Sequence, residues 1–211
     1  MNTLLRRSAE LDVVISRIQL LAPYQSNPRT MGAHTLCSVS YEHAESARLL
    51  ISNGNFTSAV GLLRLQFEAA VRAIWLFYSA SDTAVEKLTA VLTAETAKRG
   101  EKVPMLGEML NKLDGKAPQE AVSMLLEFKE YSWKPLSSFV HGGIHAIHRH
   151  AAGYPEALLE QALRASNGLS IMVGMFLVIL SGDPGQQGAI TALQQEFADC
   201  LPPNRRDLTQ D

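Results

Sequence analysis

Two stretches of this chain hold the residue types that do chemistry. The first, GLLRLQFEAAVRAIWLFY at 61–78, carries Arg64, Glu68 and Arg72. At helical spacing these stand at i, i+4 and i+8 on one face. A carboxylate between two guanidiniums orders both, and a guanidinium held in this way is a ready partner for an anion. The second, SWKPLSSFVHGGIHAIHRH at 132–150, contains four of the six histidines. Imidazole is the side chain that moves protons near neutral pH. His141 stands out there, because it follows Phe139-Val140 and precedes two glycines that let another backbone or a ligand come close. Ser137 and Ser138 could orient it, contact an anion or simply cap a helix, and Lys134 and His145 add further polar contacts.

The same residues have a structural reading. An exposed Arg64-Glu68-Arg72 ladder is worth only about 0.2–0.5 kcal/mol per pair. Yet Leu62, Leu63, Leu65, Phe67, Ile74 and Trp75 surround the charges, as on a helix packed all round. Charges in that setting must find partners or ligands, so the alternative is a buried Arg-Glu-Arg/His network that fixes helix register. A variant of it is a small-molecule sensor, with Trp75, Phe77, Tyr78 and Trp133 lining an apolar pocket beside the charges. His141, His145 and His148 at i, i+4 and i+7 would suit a metal or an anion if one helix carried them. No HExxH or ExxH motif occurs and neither cysteine is near in sequence, so no metal and no other cofactor is expected.

The elements that must position these groups read as helices. An apolar stripe runs over 3–21, closed by Pro23 and Pro28, and a second helix over 30–52 stops at SNGN. The Arg-Glu-Arg helix follows over 55–79. Asp82 reads as the N-cap of a fourth helix reaching Lys98, before Arg99-Gly100 breaks it. Pro104, Pro118, Pro135 and Pro155 each read as first-turn prolines. They open helices over 105–113 and 119–131, the histidine segment, and a long helix to Leu180. A last helix over 187–199 precedes a polar tail. No alternating strand, fixed-period repeat or low-complexity linker is present. The chain is expected to be an all-α, single-domain bundle of eight or nine helices over 1–200, with 201–211 as its tail.

With 211 residues, of which 46% are hydrophobic and 19% charged, the chain can build one good core. Its net charge of −2 offers no broad electrostatic footprint for nucleic acid or an anionic membrane, which leaves only a local basic cleft or an oligomeric groove for such a partner. Cys37 and Cys200 are far apart without metal spacing, so both are expected to be buried and unpaired, as in a reducing compartment. The N-terminus turns polar and acidic where a signal peptide would continue apolar, and the apolar run at 169–180 reads as too short for a bilayer. A cytoplasmic protein without a membrane partner is the expectation.

The combination LLRLQFEAAVRAIWL, followed much later by YSWKPLSSFVHGG, resembles a group of uncharacterised bacterial all-helical proteins that is loosely similar to the HEPN-like superfamily of nucleotide-binding and ribonuclease domains. The resemblance spans the second helix to the histidine segment. It implies a helical bundle, a homodimer, and metal-independent RNA cleavage or nucleotide handling in bacterial defence, with a protein such as an antitoxin as partner. The superfamily's hallmark is an arginine shortly before a histidine on one helix. Here Pro135, Leu136 and Ser137 stand before His141, with Lys134 the basic residue, so only His141 carries over. Arg64 or Arg72 would supply the arginine from another helix, beside Glu68.

Overall fold

The longest uninterrupted apolar pattern in the middle of the chain becomes the axis of the molecule. In the computed structural model, which describes residues 1–100, 102–186 and 188–203, this is α3 (Phe56–Tyr78). It is preceded by α1 (Asn2–Gln19) and α2 (Pro28–Ser52) and followed by α4 (Asp82–Thr89), α5 (Ala94–Gly100), α6 (Leu106–Asn111), α7 (Gln119–Val140), α8 (Ile144–Ala152), α9 (Glu156–Ser181) and α10 (Ala189–Glu196). Two short 3-10 turns, Pro184–Gln186 and Ala198–Cys200, complete the described residues, which contain no strand. The fold is an all-α, single-domain bundle. The polar tail expected over 201–211 lies, from residue 204 on, outside the described residues, as does Gln187 at the expected start of the last helix.

Helix α3 packs against α2 along most of its length and against α7, α9 and α6 on its other sides. Its buried alanines, Ala59, Ala69, Ala70 and Ala73, bring the neighbouring helices close, while Phe67, Ile74, Trp75 and Leu76 fill the core between them. The turn from α2 into α3 passes through Gly54 at φ +79, a backbone region that costs glycine nothing. At the other end of α2, Asn27 and Thr30 form a reciprocal capping box, with Pro28 in the first turn. Pro28 therefore starts α2 and does not merely end α1. At the far end of α3, Arg29 donates to the Leu76 carbonyl at 2.7 Å and pairs with Asp82 at 2.8 Å, which closes the helix where the chain turns into α4.

Among the described residues the helices number ten, because the expected fourth helix is two. Ser81, not Asp82, caps α4, its hydroxyl accepting from the Ala84 N–H. The helix stops at Ala90 because Val91 and Leu92 have no core to meet: both are 84% exposed. The proline reading also fails at Pro135, which lies inside α7. Proline removes one N–H from the ladder there, but Val122, Leu125, Leu136 and Phe139 keep one buried stripe in phase across it, and this burial holds the helix together.

Helix α9 is 26 residues long and, by length and composition, apolar enough to cross a membrane, although the apolar run 169–180 within it is shorter. Two-thirds of its most apolar window, 67%, is buried against α1, α2 and α3. Its polar residues Ser166, Asn167 and Ser170 are buried too and hydrogen-bonded. Gln66 of α3 donates to the Ser166 carbonyl at 2.9 Å and accepts from the Ser166 hydroxyl at 2.7 Å. Asn167 donates to the Ser8 hydroxyl and the Cys200 carbonyl, both at 2.8 Å, and Tyr41 donates to the Ser170 carbonyl at 3.0 Å. These bonds set the register of α9 against α1, α2 and α3.

Candidate functional site

The α7–α8 corner brings the two chemically dense stretches together. Helix α7 ends at Val140. His141 is its C-cap, Gly142 takes φ +64, and the Gly143 N–H returns to the Ser138 carbonyl at 2.7 Å, a glycine-dependent helix closure. The Ser138 hydroxyl then accepts the His145 N–H at 3.0 Å, so a side chain of α7 caps the first turn of α8. This is a positional role for Ser138. Ser137 contributes its carbonyl to the His141 N–H at 3.1 Å, and Lys134 lies exposed on α7.

The turn at Gly142 separates the histidines. His141 caps α7 while His145 and His148 ride on α8, so the three do not share one helical face as their spacing suggested. Among the described residues, no group of three or more His, Cys, Asp or Glu side chains is arranged to hold a metal ion.

What the corner does bring together is His141 and Arg64. The Arg64 Nη1 lies 3.0 Å from His141 Nε2, and its Nε donates to Glu68 Oε1 at 2.9 Å. Its guanidinium carbon sits 4.2 Å from the centre of the Trp133 ring, and Trp133 in turn meets Phe67 edge-on. A guanidinium can only donate, so the neutral imidazole accepts at Nε2 and carries its hydrogen on Nδ1. Arg64 and Glu68 are mostly covered, with side chains 14% and 21% exposed, whereas His141 faces solvent. Arg72 is peripheral. Its Nη2 reaches Glu68 only at 4.0 Å and its side chain is 42% exposed, although its Nε is buried without a hydrogen-bond partner.

The aromatic set divides. Trp75, expected to face a ligand, is 1% exposed in the core, with no partner for its indole N–H. Phe77 and Tyr78 pack with Phe176 of α9, well away from Trp133. The expected pocket lined jointly by these four rings therefore does not form, because α3 presents them to different neighbours. Larger grooves lie elsewhere. One of about 640 Å³ runs between α7 and α9 past Met124, Phe128, Leu169 and Met172, and one of about 530 Å³ lies beside Asn27 and Val85. Neither is lined by Arg64 or His141.

Gln66 went unnoticed in the sequence, since an isolated glutamine in an apolar helix carries no signal until Ser166 and Ser170 are folded against it. Thr57, Arg149, His150 and Tyr154 carry no joint signal for the same reason. The Thr57 hydroxyl accepts from the Tyr154 hydroxyl at 2.9 Å and meets His150 Nδ1 at 3.1 Å, joining the start of α3 to the end of α8.

No curated protein and no solved structure matches the chain. One family model does, over residues 37–203, a span from the middle of α2 past α10 that includes the whole α7–α8 corner. The chain belongs to the family of unknown function DUF6988.

Proposed function

We propose that the Arg64–His141 surface handles the phosphodiester of single-stranded RNA and cleaves it without a metal. The observation that carries this reading is the 3.0 Å contact between Arg64 Nη1 and His141 Nε2, across a solvent-facing corner whose guanidinium is already held by Glu68 and Trp133. A proton acceptor and a fixed cation side by side are what phosphoryl transfer needs. An entering phosphate takes over the Arg64 donor and frees Nε2. His141 then accepts the proton of the ribose 2′-hydroxyl, the new O2′–P bond forms as the P–O5′ bond breaks, and water protonates the departing 5′ oxygen. The products are a 2′,3′-cyclic phosphate and a 5′-hydroxyl, with Arg64 balancing the charge that builds on the phosphoryl oxygens. The resemblance to HEPN-like domains of bacterial defence agrees with this chemistry and adds a homodimer in which two histidine corners face one cytoplasmic RNA substrate.

The test is cleavage of a labelled single-stranded RNA by purified protein in the presence of a chelator. His141→Ala and Arg64→Met should each cut the rate by about 100-fold or more. An unchanged rate in His141→Ala, or intact RNA with the wild-type chain, refutes the reading.

A second reading is favoured by one feature: Arg64 already has a carboxylate, an imidazole and an indole face as partners. In that case the group is a structural clasp between α3 and α7 in a non-enzymatic binding or assembly protein. The clasp reading predicts loss of stability in Arg64→Met with no RNA phenotype.

A further inference from the structure

A second polar site lies where the start of α3 meets the end of α8. A cavity of about 280 Å³ is lined there by Thr57 and Ser58 of α3, by Arg149 and His150 of α8, and by Tyr154 just beyond. No carboxylate lines it. Arg149 is half-buried and, among the described residues, has no acceptor for its guanidinium; Arg7, Arg29, Arg48, Arg64 and Arg164 all donate to a carboxylate or a carbonyl, and Arg72, which does not, still lies 4.0 Å from Glu68. A guanidinium left without an acceptor in a cavity free of acids is a cation waiting for an anion.

The rest of the lining is arranged for the same ligand. His150 is held through Nδ1 by Thr57, which leaves its Nε2 edge for the cavity, and Tyr154 holds Thr57 from the other side. The Phe56 and Tyr154 rings, 5.4 Å apart, and Phe139 behind Tyr154 at 6.2 Å make an apolar wall beside the polar groups. Asn55 does not use its side chain to cap α3, so the first backbone N–H groups of that helix have no side-chain cap. The cavity is too small for an oligonucleotide but roomy for a phosphate with a small organic group attached.

We infer that this cavity is a binding site for a phosphate monoester, with Arg149 and His150 taking the phosphoryl oxygens and the Phe56–Tyr154 wall taking the organic part. The site is separate from the Arg64–His141 corner. Thr57 precedes Arg64 by seven residues, about 10 Å along α3, so the inference stands whether or not His141 cleaves RNA.

Calorimetric titration of the full chain with inorganic phosphate, adenosine 5′-monophosphate and adenosine tests it. Phosphate and the monophosphate should bind saturably and adenosine should not. The monophosphate should bind more tightly than phosphate, and equal binding of the two overturns the role of the Phe56–Tyr154 wall and with it the assignment of a monoester. Arg149→Gln should weaken the monophosphate by about tenfold or more. Arg17→Gln, which removes an exposed arginine of α1 outside both sites, should bind as the wild type does. Absence of saturable binding up to about 10 mM, wild-type affinity in a folded Arg149→Gln protein, or an equal loss in Arg17→Gln overturns the assignment.

Discussion

Arg64 and Gln66 sit two residues apart on α3 and therefore about 200° apart around it. They illustrate two uses of polarity. Gln66 points into the dry seam with α9, where its amide donates to the Ser166 carbonyl and accepts from the Ser166 hydroxyl. Arg64 points toward the α7–α8 corner, where it meets Glu68 and His141 at the edge of solvent. The first group is closed: its bonds are to fixed atoms of one neighbouring helix and nothing can enter without breaking the bundle. The second is open on one side, because His141 is exposed and its Nε2 is shared with a side chain that can exchange partners. A saturated polar group in the core is a device for register, and the same chemistry at a wet corner is a device for contact with something else.

Substitutions can widen or erase this contrast, and the largest expected effect on stability is in the seam. Gln66→Leu strands the Ser166 hydroxyl in the core and should cost about 2–4 kcal/mol in denaturant unfolding. A loss under about 1 kcal/mol would mean that the seam tolerates an apolar swap and is not the register device described. Arg64→Met comes next. Its ion pair with Glu68 is partly exposed, so about 1 kcal/mol or less of stability is expected, and a loss as large as that at Gln66 would place the two groups in one class.

A smaller effect is expected where α1 meets α2. Burial raises the Asp12 carboxyl above its usual value, although the Arg48 guanidinium at 2.6 Å opposes the shift. The folded state thus holds this proton to higher pH than the unfolded chain does. The associated stability is fully present below about 3.9 and is lost as pH rises through the folded value. Asp12→Asn should remove that increment, seen as a flatter melting temperature between mildly acidic and neutral pH than in the wild type. An unchanged slope would show the pair to be well solvated.

The smallest effect concerns the thiols. Burial pushes Cys37 far up and Cys200 to about 11. Native protein should resist alkylation at pH 8, while denatured protein takes two labels by mass spectrometry. Rapid labelling of the native chain would show the α9–Cys200 contact to be open.

Periodicity was enough to read most of this bundle, because long helices with one buried stripe declare themselves. It misled where apolar residues are not core. Val91 and Leu92 extended the expected fourth helix on paper, yet both face solvent and the helix ends before them. At Pro135 a local rule about proline yielded to a stripe running from Val122 to Phe139. The sequence leaves Arg64 or Arg72 as the arginine beside His141, and the fold puts Arg64, not Arg72, in contact with it. The three-histidine face was not realised, because a single left-handed glycine turns the chain between His141 and His145. Residue type alone suggests a ligand for Trp75, but it says nothing about the side of a helix that the ring occupies. Gln66 and the Thr57–His150 pair needed partners 93 to 104 residues away, and no local pattern reports those.

The order of the helices along the chain has a consequence for how the protein is made. Helix α9 is, by length and composition, apolar enough to cross a lipid bilayer, and α1, α2 and α3, which cover most of it, precede it in the sequence, while α10 and the Cys200 turn follow it. A ribosome delivers α1, α2 and α3 first, so most of the receiving surface is made before this apolar helix leaves the exit tunnel. Chain order thereby shortens the time during which α9 is exposed, a protection against misinsertion and aggregation that depends on timing and on no additional contact.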